Sequence, residues 1–206
     1  EQAAADVGGA HVMRFSPMDP ESPGFKALLE ALRSRGWLPF RFFCFGNWHQ
    51  RIAGDWAGYL KSREGKLRST IRRMDRKFLA EGGTLEIVTD STALEPAIQA
   101  FQDVYARSWK RPEPYQDFIP GLIRWLAAKG KLRLGIARIG GRPVAAQLWT
   151  VSHGKAHIVK LAYDEADAGF SPGTLLTAHL MEQVIDRDRV AEVDYLIGDD
   201  KYKQSW

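Results

Sequence analysis

Residues 155–185, KAHIVKLAYDEADAGFSPGTLLTAHLMEQVI, and residues 193–203, VDYLIGDDKYK, decide the reading of this chain. The first stretch reads as a strand, a short acidic loop, a Ser-Pro-Gly-Thr turn and an amphipathic helix. The order matters because the turn opens a helix on backbone N–H groups. Such groups have no intrahelical acceptor and, with the helix dipole, suit a phosphate or carboxylate. Ser171 is expected as N-cap and Pro172 at the first helical position, while Gly173 lets a ligand approach the backbone. Ordinary helix starts carry the same residues and bind water, so the turn is a candidate anion site only.

Working outward, Lys131–Gly140, Arg142–Gly154 and Lys155–Glu165 read as three strands separated by the turns Gly140-Gly141 and His153-Gly154. That spacing predicts an antiparallel meander. Upstream, GKLRSTIRRMDRKFLAEGG (65–83) reads as a basic helix. Its apolar stripe is Leu67, Ile71, Met74 and Phe78, and Gly82-Gly83 stops it. TLEIVTD follows as a strand. Residues 93–110 form a helix with Ile98, Phe101, Val104, Tyr105 and Trp109 inward, and 117–130 form another. A last strand covers AEVDYLIG. From residue 63 the order is α, β, α, α, β, β, β, α, β, which defines a mixed α/β sheet.

The start of the chain is read differently. Residues 1–10 form a mobile arm. Residues 11–60 form a strand–helix–strand segment, with strands AHVMRFSP and WLPFRFFCFG around the helix FKALLEALRSRG. GNWHQ is then a turn, and Asp55 caps a short helix. Residues 61–206 form the main lobe. Cys44, the lone cysteine, lies in the aromatic run and reads as a buried structural thiol. No apolar run approaches the ~20 residues that span a bilayer, and no secretory signal opens the chain. Together these agree with a reducing cytoplasm.

Net charge is +4, and its placement tells more than its size. Lys61, Arg63, Lys66, Arg68, Arg72, Arg73, Arg76 and Lys77 are opposed only by Glu64 and Asp75 in that stretch. The cations beside such an apolar stripe form a solvated face, an anion site or, less economically, a track for nucleic acid. No HExxH, Cys/His cluster, GxSxG element or Walker loop is present, so no metal is expected.

LRSTIRRMDRKF, SWKRPEP, GRPVAAQLW, KLAYDE, SPGTLL and DYLIGDDKYKQSW, in that order, resemble the GCN5-related N-acetyltransferases (GNAT). The resemblance covers about residues 60–206 and is nearest the CelD-type group associated with cellulose and exopolysaccharide genes. It extends more distantly to the Fem-type peptidyltransferases. It implies a mostly antiparallel central sheet flanked by helices, in which the strand before the turn and the turn's amides hold acetyl-CoA. The cofactor-binding positions would be Leu161, Ala162, Tyr163, Phe170, Ser171, Gly173, Thr174 and Leu175.

The chain departs from the family pattern at three points. The usual phosphate loop, Gln/Arg-x-x-Gly-x-Gly/Ala, is met at Gly173 but not at Phe170 or Leu175. The chain stops at Trp206 without the closing strands of a GNAT sheet. Residues 11–60 look like the remnant of a preceding lobe.

Acyl transfer needs a held nucleophile, a proton acceptor and donors for the oxyanion. Lys160 is a candidate because a lysine in an apolar strand is costly unless paired or lining a cleft. Asp194 lies in the last strand beside the expected parting of strands. Glu113 is read as a rim carboxylate or a partner of Lys110 or Arg111. Tyr202 and Lys203 match the aromatic–lysine pair of Fem-type enzymes, with Asp199 and Asp200 beside them. Arg68, Arg72, Arg73 and Trp109 are candidate substrate contacts. His157 alternates with Val159 and Leu161 and reads as a packed or surface-pairing histidine, opposite Lys160 and Ala162. The reading is an acyltransferase moving acetyl from acetyl-CoA to an amine or hydroxyl of a small metabolite or polysaccharide precursor. An aminoacyl-tRNA-dependent transferase and a degenerate, non-catalytic lobe stay open, as does a dimer.

Overall fold

Two-residue turns tie Leu132–Ile139 (β3), Arg142–Ser152 (β4) and Lys155–Tyr163 (β5) into a meander. Gly140, Gly141, His153 and Gly154 all have positive φ, as tight hairpins demand. The computed structural model describes residues 12–198 and 201–206. It divides into a unit ending at Gly46 and a unit from Asn47 to Trp206.

In the first unit, helix Pro23–Ser34 (α1) starts where the Ser22 hydroxyl accepts the Phe25 N–H at 3.2 Å. Leu32 is its buried residue. The two strands expected around it do not form: residues 12–16 and 37–46 lie in no strand, and the start of the first falls outside the described residues. Leu38, Phe40, Phe42 and Phe43 are 76–88% exposed. Cys44 is exposed, its Sγ 3.1 Å from Ser16 Oγ, so the expected burial of its thiol is not observed. A strand of this composition needs a facing apolar layer, and the described part of this unit supplies none. The arm at 1–10 lies outside the described residues.

The second unit runs Asn47–Arg51 (β1), Trp56–Lys61 (α2), Gly65–Ala80 (α3), Gly83–Val88 (β2), Leu94–Ala106 (α4) and Phe118–Ala128 (α5) before the meander. After it come a 3-10 turn at Glu165–Phe170, Pro172–Glu182 (α6), a π turn at Gln183–Arg187, Glu192–Ile197 (β6) and Lys201–Ser205 (α7). The expected mixed sheet forms with strand order β1-β6-β5-β4-β3-β2, and only β5–β6 is parallel. GNWHQ is not a turn. It is edge strand β1, antiparallel to β6, so a segment from upstream covers the edge where closing strands were expected.

Each face of the sheet buries a separate apolar layer. On one, Ala145, Trp149, Ile158 and Val193 pack against α6 and the stripe of α3, with Leu67 and Phe78 buried and Ile71 and Met74 partly so. On the other, Leu134, Ile136, Leu148 and Ala162 meet Ile98, Phe101 and Val104 of α4 and Ile119 and Ile123 of α5. Burying each such side chain contributes about 1.5–3 kcal/mol. Arg133 crosses to Asp188 with two bonds of 2.8 and 2.5 Å, pinning β3 to the turn after α6.

Gly135 sets the approach of α6 to β3. A Cβ there would lie 2.8 Å from Leu180 Cδ1 and 3.0 Å from Leu176 Cδ1. Gly135→Val should therefore destabilise by about 1–3 kcal/mol through overpacking. That corresponds to a fall of about 3–8 °C in a circular-dichroism melt, and an unchanged midpoint would contradict the close approach.

Candidate functional site

Strands β5 and β6 share only three rungs: Lys155–Glu192, Ala156–Val193 and His157–Asp194. Both strands continue past the last rung, β5 to Tyr163 and β6 to Ile197, without pairing. One cause lies in β5. Leu148 of β4 faces Lys160 but Trp149 faces Ile158, so Val159 is an extra residue, a β-bulge. The other lies in β6, where Leu196 has φ 58°. The sheet therefore opens beyond His157 and Asp194, leaving one edge of β5 without a strand partner.

The bulge also resets which side chains face which way. Ile158 and Leu161 pack on the α6 side, whereas Val159 and Ala162 pack on the α4 side. The simple alternation expected for His157, Val159 and Leu161 is thus broken. His157 pairs with Thr150 and Lys160 with Leu148, residues of β4 that point to the same face, so His157 and Lys160 share the α4 side.

Helix α6 begins where β5 and the acidic loop deliver it. Asp164 is bonded by Arg107 at 2.8 Å and Arg142 at 3.2 Å, and Asp167 by Arg142 at 2.9 Å. Burial pushes the Asp164 carboxyl up, but the Arg107 bond, the Ala166 amide and the two guanidinium charges outweigh it and hold it low. Ser171 precedes the helix in the left-handed region, φ 51° and ψ 45°, and its side chain makes no capping bond. This corrects the expected N-cap, which needs extended φ and ψ. The Ser171 carbonyl instead takes the Thr174 and Leu175 amides at 3.0 and 3.1 Å. Pro172 has no N–H, and the Gly173 N–H has no acceptor among the described residues.

Beneath this turn lies a buried polar chain that the sequence reading missed. Gln147, 1% exposed, donates to the Gly173 carbonyl at 2.9 Å and to Thr177 Oγ1 at 2.8 Å. Its own oxygen accepts from Trp149 Nε1 at 2.9 Å. Thr177 Oγ1 bonds in turn to the Tyr202 hydroxyl, which brings α7 to the start of α6. A lone Gln inside VAAQLW, and a Thr one turn after Gly173, were the available signals.

On the α4 side, two candidates meet. Lys160 bonds Glu113, and Tyr105 donates to the same carboxylate oxygen at 2.6 Å. Glu113 thus bonds Lys160, with the Lys110 charge acting on it as well. The Lys160 bond first, then the Tyr105 bond, hold its carboxyl below the usual range. Burial, then Glu113, pushes the Tyr105 phenol up. Trp109 is not inward. Helix α4 stops at Ala106, and the indole, 47% exposed, rests on the Tyr163 ring at 4.6 Å between centroids. Tyr163 lies under Gly173, whose added Cβ would sit 3.3 Å from its Cδ1.

The other candidates are placed as follows. Leu175 is 2% exposed and Ala162 1%, so either offers a ligand only its backbone. Leu161 is half-buried in the α6-side core. Phe170 is half-buried beneath Lys77, whose Nζ lies 4.4 Å from the ring centre and 3.2 Å from the Gly169 carbonyl. Thr174 is half-buried, while Arg68, Arg72 and Arg73 are exposed on α3. Lys203 Nζ bonds the Ile197 carbonyl, with that of Leu196 at 3.5 Å. Asp194 Oδ1 accepts Asn47 Nδ2 at 3.1 Å and the Leu196 amide at 2.8 Å. Asp199 and Asp200 lie outside the described residues. Among the described residues no three His, Cys, Asp or Glu side chains are grouped for a metal ion, and no helix is long and apolar enough to cross a membrane.

A six-stranded mixed sheet, opened between one parallel pair and met there by a helix start, is consistent with the GNAT fold. Residues 65–204 match the acetyltransferase (GNAT) domain family, and the chain belongs to that family. No curated protein matches it in sequence. It is similar in fold to FemX, at 13% identity and TM-score 0.62, over 87% of this chain and 64% of that one. It is also similar to L-PGS from Bacillus licheniformis, at 17% identity and TM-score 0.50, over 82% and 55%. The C-terminal domain of a lysylphosphatidylglycerol synthetase from Agrobacterium fabrum matches at 16% identity and TM-score 0.49, over 70% and 46%. The chain thus spans between about half and two-thirds of the length of these three structures.

Because the folded Glu113 carboxyl titrates below its unfolded value, its contribution to stability is present above the unfolded value of about 4.3. It is lost as pH falls through the lower folded value. Glu113→Gln should lower the urea midpoint at pH 7, and the difference from the parent should shrink steadily below about pH 4. A gap that persists at the acid end would show that the pair does not carry the effect.

Proposed function

We propose that this lobe transfers acetyl from acetyl-CoA to an amine or hydroxyl of a small metabolite or polysaccharide precursor, as a CelD-type acyltransferase. The observation that carries the reading is the early end of the β5–β6 ladder, with the start of α6 just past β5. Beyond His157 the free edge of β5 offers backbone N–H and C=O groups to an extended, amide-bearing arm. The Gly173 N–H and the positive end of α6 suit a diphosphate. Lys77, already docked on the loop at Gly169, adds a cation beside the same turn. The residues present therefore fit acetyl-CoA, even with Phe170 and Leu175 at two loop positions.

When bound, acetyl-CoA supplies the activated acyl carbon. The chain's own residues then have separable tasks. The β5 edge orients the arm, and the Tyr202 hydroxyl, fixed by Thr177, faces the opening from the α6 side as a proton donor. Lys160, held by Glu113, brings a fixed cation to the α4 side where an oxyanion or an anionic acceptor is favoured. Glu113 itself is a poor proton acceptor at neutral pH, since Lys160 and Tyr105 stabilise its ionised form. Lys203, bonded to the Ile197 carbonyl, fixes the bend in β6 on the far side of the opening.

A second reading, an aminoacyl-tRNA-dependent transfer, is favoured by one feature. Arg68, Arg72 and Arg73 are exposed and have no ion-pair partner among the described residues. Such a row could follow a phosphate backbone.

Calorimetry with acetyl-CoA, and in parallel with a tRNA, tests both. Gly173→Glu places bulk against Tyr163 and a negative charge at the helix start. It should abolish acetyl-CoA binding while leaving the circular-dichroism spectrum intact, and Gly173→Ala should weaken binding only modestly. Retained affinity in Gly173→Glu would remove the cofactor assignment. Salt-sensitive tRNA binding without acetyl-CoA binding would favour the second reading, and no binding of either would favour a non-catalytic lobe.

A further inference from the structure

The last rung of the β5–β6 ladder is one part of a longer row. Thr150 of β4 pairs with His157 of β5, His157 with Asp194 of β6, and Asp194 with His49 of β1. Directly paired residues point to the same face of a sheet. Thr150, His157, Asp194 and His49 therefore stand side by side on the α4 face. The next row on that face is Ser152, Lys155, Glu192 and Arg51, with Lys155 Nζ bonded to Glu192 Oε1 at 2.9 Å. The intervening row, Ala156 and Val193, is fully buried on the opposite face. The α4 face at this end of the sheet is thus polar, with His157 and Asp194 half-buried and His49 exposed.

We propose that His157, which stands beside Asp194 on the last rung, takes the proton from the acceptor in acyl transfer. The inference rests on the acetyl-CoA reading above and extends it to the choice of base. Three observations converge on His157. It stands on the last rung, where the two strands part. The bulge at Val159 turns Lys160 to the same face as His157, so both polar groups look onto one side of the opening. Asp194 Oδ1 is held by Asn47 and the Leu196 amide, which fixes the carboxylate beside His157 on the rung.

Chemistry selects among the nearby groups. A carboxylate with an ordinary value near 3.9 is a weak acceptor at pH 7, and Glu113 is weaker still. An imidazole with an ordinary value near 6.5 matches the task. His49 is exposed and stands one strand further from the opening. The other charged groups facing His157 are Asp194 across the rung, Lys155 and Glu192 one rung away, Arg51 beyond them and Lys160 past the bulge. As the acceptor nitrogen bonds to the acyl carbon, the carbon–sulfur bond breaks and its electron pair leaves on sulfur. The nitrogen's proton passes to the His157 imidazole, which then releases it to water.

The test uses acetyl-CoA, with D-glucosamine as the amine probe, and follows thiol release from pH 5 to 9. In the parent protein kcat/KM should rise through one ionisation between about pH 6 and 7.5. His157→Gln should lower kcat about 100-fold or more and abolish that limb, with acetyl-CoA affinity by calorimetry unchanged. A His157→Gln protein that keeps its rate and its limb overturns the proposal.

A second measurement needs no acceptor. With 13C-labelled histidine, acetyl-CoA should shift the His157 resonance. If acetyl-CoA binds and His157 does not respond, the histidine is not at the reacting end and the proposal falls. If acetyl-CoA does not bind at all, the acetyl-CoA reading itself fails, and this inference with it.

Discussion

The three-rung parallel pairing of β5 with β6 is the constraint on which the rest of the site depends. Parallel strands hold together through evenly spaced, slanted bonds, and a ladder this short leaves most of both strands free to diverge. One extra residue, Val159, bends β5 at the point where the ladder ends, while Leu196 turns β6 in the left-handed region. The exposed edge would be a liability elsewhere in a sheet. Here it runs into the start of α6, and the proposed binding of acetyl-CoA would cover it.

Two polar groups flank that opening from opposite faces, and they are built on different principles. On the α6 side Gln147, Thr177, Trp149 and Tyr202 form a neutral chain buried under the helix start. Every member is bonded, as a buried network must be to avoid the cost of unpaired polar atoms. On the α4 side Lys160 and Glu113 carry formal charge, with the neutral Tyr105 phenol bonded to the carboxylate, and the group keeps partial contact with water. The neutral chain fixes geometry, and the charged group sets the local field. A transferase needs both, because orientation and electrostatic stabilisation act on the same atoms.

The edge strand β1 explains how the sheet is completed. Its antiparallel pairing with β6 covers the far side of the opening and brings Asn47 to Asp194. The chain thereby ties the segment just before α2 to a carboxylate almost 150 residues later. The same segment lies in the second compact unit, while the aromatic run before it does not.

By itself the sequence determined the local elements of this lobe and the place of the helix start. Turn residues with positive φ, the Leu67–Phe78 stripe and the Pro172-Gly173 pair act within a few residues of themselves, so their consequences are legible in one dimension. The meander and the mixed sheet were legible on that basis. Tertiary structure alone decided what depends on partners distant in the chain. It paired Lys160 with Glu113 and placed Gln147 beneath Gly173. It made Asn47–Arg51 a strand, because the partner it pairs with, β6, lies at the far end of the chain. It also reversed the reading of His157, because a single bulged residue shifts every later side chain to the other face, and strict alternation along a sequence cannot register an insertion that only a neighbouring strand defines.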